Sequence, residues 1–233
     1  MSPAGKRMEA AYQLIDPAKT YGFREAVEVL KSVPAPKFDE TVEVALSFDI
    51  DPKQSDQTVR GTVVLPHGTG KSRKVLVFAK GEAERQAREA GADVVGTEEL
   101  MAKIEGGWLD FDAVVATPDL MREVGKLGRI LGPRNLMPSP KAGTVTMDVG
   151  KAVREVKKGK VEFKMDKQGD IHLGVGRRSF PVEALVENVR VLFEAIWKVR
   201  PASVKGRYIR SAYLTTTMGP SCRLDPSEAR PVG

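Results

Sequence analysis

The residues able to do chemistry are few and scattered. Cys222 is the single cysteine among 233 residues, and the two histidines, His67 and His172, stand far apart. One cysteine closes no intrachain disulfide, and one Cys with two His falls short of the roughly four N/S ligands of a structural zinc site. No serine occupies a Gly-x-Ser-x-Gly elbow, and neither histidine has a carboxylate or cysteine motif beside it. Gly68-Thr-Gly-Lys-Ser72 resembles the end of a phosphate loop, whose backbone amides wrap a phosphate. The complete pattern needs glycine at position 65, where Leu65 stands, followed by Pro66-His67. A basic connecting loop is therefore expected there. A phosphate-handling enzyme using Gly68–Ser72 is the alternative reading.

Binding chemistry is more legible than catalysis. The chain carries 37 Lys and Arg against 31 Asp and Glu, a formal charge of +6 that is too mild to locate a partner. The acids, however, are unevenly placed: Ala195–Leu224 and Gly125–Met147 contain none. The first stretch carries Lys198, Arg200, Lys205, Arg207, Arg210 and Arg223, and ends on Ser211-Ala-Tyr-Leu-Thr-Thr-Thr-Met-Gly-Pro220. Cations, hydroxyls and a Gly amide suit RNA phosphates and 2′-hydroxyls. The bland alternative is an edge strand guarded by charge. The second stretch projects Lys126, Arg129, Arg134 and Lys141 from a Gly- and Pro-rich loop over 125–143, also suited to phosphate, or else a proline-stiffened surface loop.

The elements that must position these groups follow from periodicity. Helices are expected over 6–15 and 23–32, the latter with Phe23, Ala26, Val27 and Leu30 on one face. Strict alternation from Thr41 to Ile50 predicts a half-buried strand, with 58–65 as its partner. From 74 to 157 short apolar strands (74–79, 93–95, 113–116) alternate with helices (82–90, 97–105, one opening at Thr117-Pro118-Asp119 with Thr as cap, and 149–157), the pattern of a parallel sheet. Beyond 160 come strands 160–165 and 170–175, a helix 181–197 and a long strand 207–217. The segment after Leu224 reads as a loose, dispensable tail.

Composition nests one domain in the other. Residues 68–159 hold 13 of the 22 glycines, and their only aromatics are Phe78, Trp108 and Phe111. The expected architecture is α/β and α+β: a discontinuous split β-α-β (ferredoxin-like) domain, 1–67 plus 160–233, with an inserted Rossmann-like three-layer α/β domain, 68–159. The two crossings would form a hinge. The inserted sheet lacks Gly-x-Gly-x-x-Gly after its first strand, where Ala79-Lys-Gly-Glu82 stands, so dinucleotide binding is not expected. Neither metal nor cofactor is expected. The longest apolar run, Val75–Ala79, is far below the roughly 20 residues of a membrane span, and the N-terminus lacks the apolar region of a secretory signal. A cytoplasmic location is expected.

Three motifs carry a resemblance: Thr58-Val-Arg-Gly-Thr-Val-Val-Leu-Pro-His-Gly68, Lys126-Leu-Gly-Arg-Ile-Leu-Gly-Pro-Arg-Asn-Leu-Met-Pro138 and Thr215-Thr-Thr-Met-Gly-Pro220. With Lys37-Phe-Asp-Glu-Thr-Val-Glu43, they resemble the large-subunit ribosomal proteins of the mobile lateral stalk, the L-one family, bacterial type, over about residues 5–224. The resemblance implies a non-enzymatic RNA-binding protein, monomeric outside the ribosome, whose discontinuous domain grips large-subunit ribosomal RNA. It maps the contact surface onto Lys37, Phe38, Thr41, Glu43, Asp166, Lys167, Gly169, Ser211, Thr217, Met218 and Gly219. Secondary RNA contacts fall to Lys126, Arg129, Arg134 and Lys141. It further implies assistance to the release of deacylated tRNA at the ribosomal exit site, and repression of translation of its own operon mRNA. Glu43 is unusual on a phosphate surface and would accept from a base amino group or a 2′-hydroxyl, or hold a neighbouring lysine in place.

Overall fold

A computed structural model describes residues 5–51, 54, 57–134, 136–204 and 206–229. Asn135 and Lys205 lie outside the described residues. The chain divides into two compact units, Met1–Gly70 with Glu162–Gly233, and Lys71–Val161. In chain order the first unit opens with α1 (Lys6–Gln13), α2 (Phe23–Ser32), β1 (Thr41–Phe48) and β2 (Arg60–Val64). Next come β3 (Val75–Phe78), α3 (Glu82–Glu89), β4 (Val94–Gly96), α4 (Glu98–Glu105), β5 (Ala113–Ala116), α5 (Met121–Val124), α6 (Gly128–Leu131) and α7 (Val149–Lys158). The chain then returns through β6 (Lys160–Lys164), β7 (Asp170–Arg177), α8 (Val182–Lys198), β8 (Ile209–Thr216) and β9 (Ser221–Arg223).

The first unit is built on an antiparallel sheet of order β7-β1-β8-β9. Alternation in β1 sends Val42, Val44, Leu46 and Phe48 to a buried face and Thr41, Glu43, Ala45 and Ser47 to the other. Helices α2 and α8 pack against each other, with Phe23 and Phe193 ring centroids 4.9 Å apart, and α2 also packs on β8 and β9 and α8 on β7. β2 pairs with β6 in a separate two-stranded ribbon. Arg60 and Glu162 form an ion pair there at 2.6 Å.

The second unit is a parallel sheet of order β4-β3-β5. All four residues of β3 are buried, as a strand covered on both faces requires. Leu76 and Phe78 face a core with Leu100, Ile104, Phe111, Leu127 and Leu131. Val75 and Val77 face a second core with Ala87, Val149, Val153 and Val156 from α3 and α7.

Five expectations need correction. The strand expected over 58–65 is not the partner of β1: β2 joins β6, and β1 lies between β7 and β8, because alternation marks a strand but not its neighbour. Residues 125–143 are no open loop throughout: short 3-10 and α turns follow one another from Gly125 to Arg134 and again over Pro140–Ala142, and Leu127 and Leu131 are core residues. Burial of that apolar face keeps so glycine-rich a segment folded. Thr117 does not cap with its side chain; the turn it precedes is 3-10, and its backbone N–H donates to the Phe78 carbonyl. β9 was not foreseen, because three residues are too few to show a period. The segment after Leu224 is no loose tail through residue 229. Leu224 and Ala229 are buried, Tyr21 bridges to Leu224, and the Glu228 carboxylate accepts the Phe23 N–H at 2.7 Å, at the start of α2.

Candidate nucleic-acid interface

The face of the antiparallel sheet opposite α2 and α8 is polar, and the strand register arranges it in rows. Arg177 pairs with Thr41, and the Thr217 N–H donates to the Thr41 carbonyl. The next row is Gly174, Glu43, Thr215 and Ser221; then His172, Ala45, Tyr213 and Arg223; then Asp170, Ser47 and Ser211. The expected contact residues therefore gather at two ends of one face. Thr41 and Ser47 are six residues apart on β1, about 20 Å at roughly 3.3 Å per residue.

At one end, Lys37, Phe38 and the turn between β8 and β9 stand beside Thr41. Phe38 and Met218 are 52% and 51% exposed, two of eight exposed large apolar side chains among the described residues. The Thr41 N–H donates to the Thr217 hydroxyl at 3.1 Å. Beneath the turn lies a group that the sequence did not single out. Glu40 is fully buried, and its carboxylate accepts the Met218 N–H at 2.9 Å and the Arg178 guanidinium at 2.7 Å. Arg178 also donates to the carbonyls of Lys31 and Val33, so both charges are paired and bonded. From outside, Arg7 donates to the Met218 carbonyl at 2.6 Å. Gly219 is required by close approach: a Cβ there would lie 2.1 Å from the Thr216 hydroxyl.

At the other end, Asp166, Lys167 and Gly169 form the turn before β7. The Asp166 carboxylate accepts the N–H groups of Gln168 at 2.8 Å and Asp170 at 2.9 Å. Bonding from the Asp170 amide, then from Gln168 and Gly169, with the nearby His172 imidazole, holds this carboxyl below the ordinary value of 3.8. Gly169 takes φ +89°, the left-handed region open to glycine, while its carbonyl accepts the Phe48 N–H. Ser211 faces Ser47 across the strand pair, and Arg210 donates to the Ser47 hydroxyl at 2.7 Å. Glu43, exposed only in part, sits between the two ends.

Lys126, Arg129, Arg134 and Lys141 are on the second unit, all exposed. They have no ion pair among the described residues. The Gly68–Ser72 segment is followed by β3 rather than by a helix, so it lacks the helix N-terminus that completes a phosphate loop. Asn188 holds it instead, accepting the His67 N–H at 3.1 Å and donating to the carbonyls of Gly68 and Val175. Both histidines have carboxylate neighbours: His67 gains its own only on folding, whereas Asp170 stands two residues before His172 on the same face of β7. His67 lies 2.7 Å from Glu187, and Asp166, Asp170 and His172 bring ligand-type atoms within 4.8 Å of one another. In that trio Asp166 and His172 are exposed and Asp166 accepts two backbone amides, while Oδ1 of Asp170 is buried with no hydrogen-bond partner among the described residues.

The open sheet face of this mixed α/β chain displays rows of hydroxyls with two arginines, Arg177 and Arg223, and two carboxylates, Glu43 and Asp170, a surface of the class able to hydrogen-bond a polar partner. Comparison with known proteins gives the class its particular form. The model of the ribosomal protein L1p/L10e family matches residues 29–220. The large ribosomal subunit protein uL1 of Protochlamydia amoebophila (strain UWE25) is 56% identical over 229 residues, 98% of this chain and 97% of that protein. The chain belongs to the ribosomal protein L1p/L10e family. It is a ribosomal structural protein, not an enzyme, and the phosphate-handling alternative at Gly68–Ser72 falls with that.

Proposed function

We propose that the chain is a component of the cytoplasmic large ribosomal subunit that binds ribosomal RNA through the open sheet face of its discontinuous domain. In this reading residues 1–67 with 160–233 form a split β-α-β, ferredoxin-like RNA-binding domain. Residues 68–159 form an inserted Rossmann-like domain whose Lys126, Arg129, Arg134 and Lys141 make secondary contacts. The observation that carries the reading is the convergence of Phe38, Thr41, Thr217, Met218 and Gly219 at one end of that face, on a turn fixed from beneath by a buried carboxylate. Exposed apolar groups beside oriented hydroxyls suit a folded RNA read by ribose and backbone. As part of the lateral stalk, the protein assists release of deacylated tRNA at the exit site. It also represses translation of its own operon mRNA by binding a site that mimics the ribosomal one.

The test is the affinity of the full chain for large-subunit ribosomal RNA fragments. Thr217→Ala should weaken binding by roughly 5- to 30-fold, as expected for the removal of one or two hydrogen bonds, and Met218→Asp by more. Lys71→Ala should leave affinity nearly unchanged. Equal affinities for all four proteins would refute the assignment.

A further inference from the structure

The run of cations without acids from Ala195 to Leu224 is not absorbed by the contact residues proposed above. Folding brings three of these cations to one place. Arg207, Arg210 and Arg223 line a hollow of about 370 Å³ with Thr20, Ser211, Leu224, Asp225 and Pro226. It adjoins Ser211, at the end of the open face away from Met218.

The hydrogen bonding around the hollow leaves positive charge unspent. Arg207 donates to the carbonyls of Ile209 and Arg210, and Arg210 to the Ser47 hydroxyl, all neutral acceptors. Among the described residues none of the three arginines has a carboxylate partner, and the Arg223 side chain has no hydrogen bond. The one acid on the wall, Asp225, accepts the N–H of Ser227 at 2.9 Å and its hydroxyl at 2.6 Å. Those bonds hold its carboxyl below the ordinary range. Three guanidiniums that meet no carboxylate, with two hydroxyls, match the planar, multidentate recognition of a phosphate.

We infer that this hollow is a phosphodiester subsite that takes the RNA backbone where the RNA leaves the Ser211 end of the sheet. The subsite rests on the RNA-binding reading above and adds to it. Its ligand chemistry is a phosphate group, and free phosphate is the competing source.

The experiment is salt-titrated binding of a large-subunit ribosomal RNA fragment to the full chain and to the variants Arg210→Gln, Arg223→Gln, Lys103→Ala and Thr217→Ala. Thermal melting is recorded in parallel. Each arginine variant should bind several-fold more weakly, and the slope of log K against log[salt] should become shallower by about 0.7–0.9 for each phosphate the variant fails to neutralise. Melting should be unchanged, since Arg210 and Arg223 are exposed. Lys103→Ala, an exposed lysine on α4, should change neither quantity. Arginine variants that match the wild type while Thr217→Ala binds weakly would remove the subsite and leave the RNA reading standing. Variants that all bind as the wild type would remove both. Inorganic phosphate that binds the wild type but not Arg223→Gln, while RNA affinity is the same for both, would assign the hollow to free phosphate and overturn the proposal.

Discussion

The buried carboxylate of Glu40 accepts the backbone N–H of Met218 at 2.9 Å, joining residues 178 positions apart. An exposed turn is thereby aimed by a side chain that no RNA could touch. Glu40 is in turn held by Arg178, whose side chain is 12% exposed against 0% for Glu40.

Glu40→Ala should be strongly destabilising. It leaves the Arg178 guanidinium enclosed without its counter-charge, a change worth about 3–5 kcal/mol. Denaturant unfolding measures it, and a destabilisation below about 1 kcal/mol would show that the pair matters little. Replacing both partners by apolar residues of similar volume should cost less than Glu40→Ala alone.

Gly219→Ala should fail for a local reason that a second substitution relieves. The new Cβ would strike the Thr216 hydroxyl, which is buried and has no hydrogen-bond partner among the described residues. Overpacking of this kind costs about 1–3 kcal/mol. Thr216→Ala removes the obstructing oxygen, so Thr216→Ala/Gly219→Ala should regain most of the stability and RNA affinity that Gly219→Ala forfeits. Equal defects in the single and double variants would place the constraint elsewhere.

The Asp166 turn should respond to acid. The folded carboxyl titrates below its ordinary value of 3.8, so the stabilisation it gives is present above that value and is lost as pH falls through the lower folded one. Titration by NMR should show the amides of Gln168 and Asp170 shifting together with the Asp166 carboxyl, below about pH 4. In Asp166→Asn that shared transition should disappear. A midpoint at or above the ordinary value would contradict the bonding described.

Cys222 should be silent in the folded protein. Burial, with Glu25 nearby, raises its thiol from 9.0 to about 11, so at about pH 8 only about one molecule in a thousand carries a thiolate. Alkylation at that pH should track global unfolding in denaturant. Because the folded value is raised, this group's contribution to stability is complete below its ordinary value of 9.0 and fades as pH rises toward about 11. Rapid labelling under native conditions would contradict the burial.

What could be read ahead of folding divides by range of interaction. The alternation in Thr41–Phe48 and the apolar face of Val182–Lys198 are local periodicities, and both elements form as expected. The segment 125–143 misled because glycine and proline mark breaks, while Leu127 and Leu131 find their core only after α4 and β5 are in place. Glu40 and Arg178 could not be linked from spacing, since nothing local distinguishes a buried ion pair from two surface charges. Ser211 and Thr217 were readable as hydroxyls on a strand. Their separation along one face depends on the pairing of β8 with β1.

In the proposed function RNA covers the open sheet face. Phe38, Tyr213 and Met218 are 52%, 37% and 51% exposed on or beside it and are readily oxidised. Hydroxyl-radical footprinting of the full chain, with and without a large-subunit ribosomal RNA fragment, tests that most directly. All three side chains should be strongly protected in the complex. Unchanged oxidation of all three, in a sample where binding is complete, would contradict it.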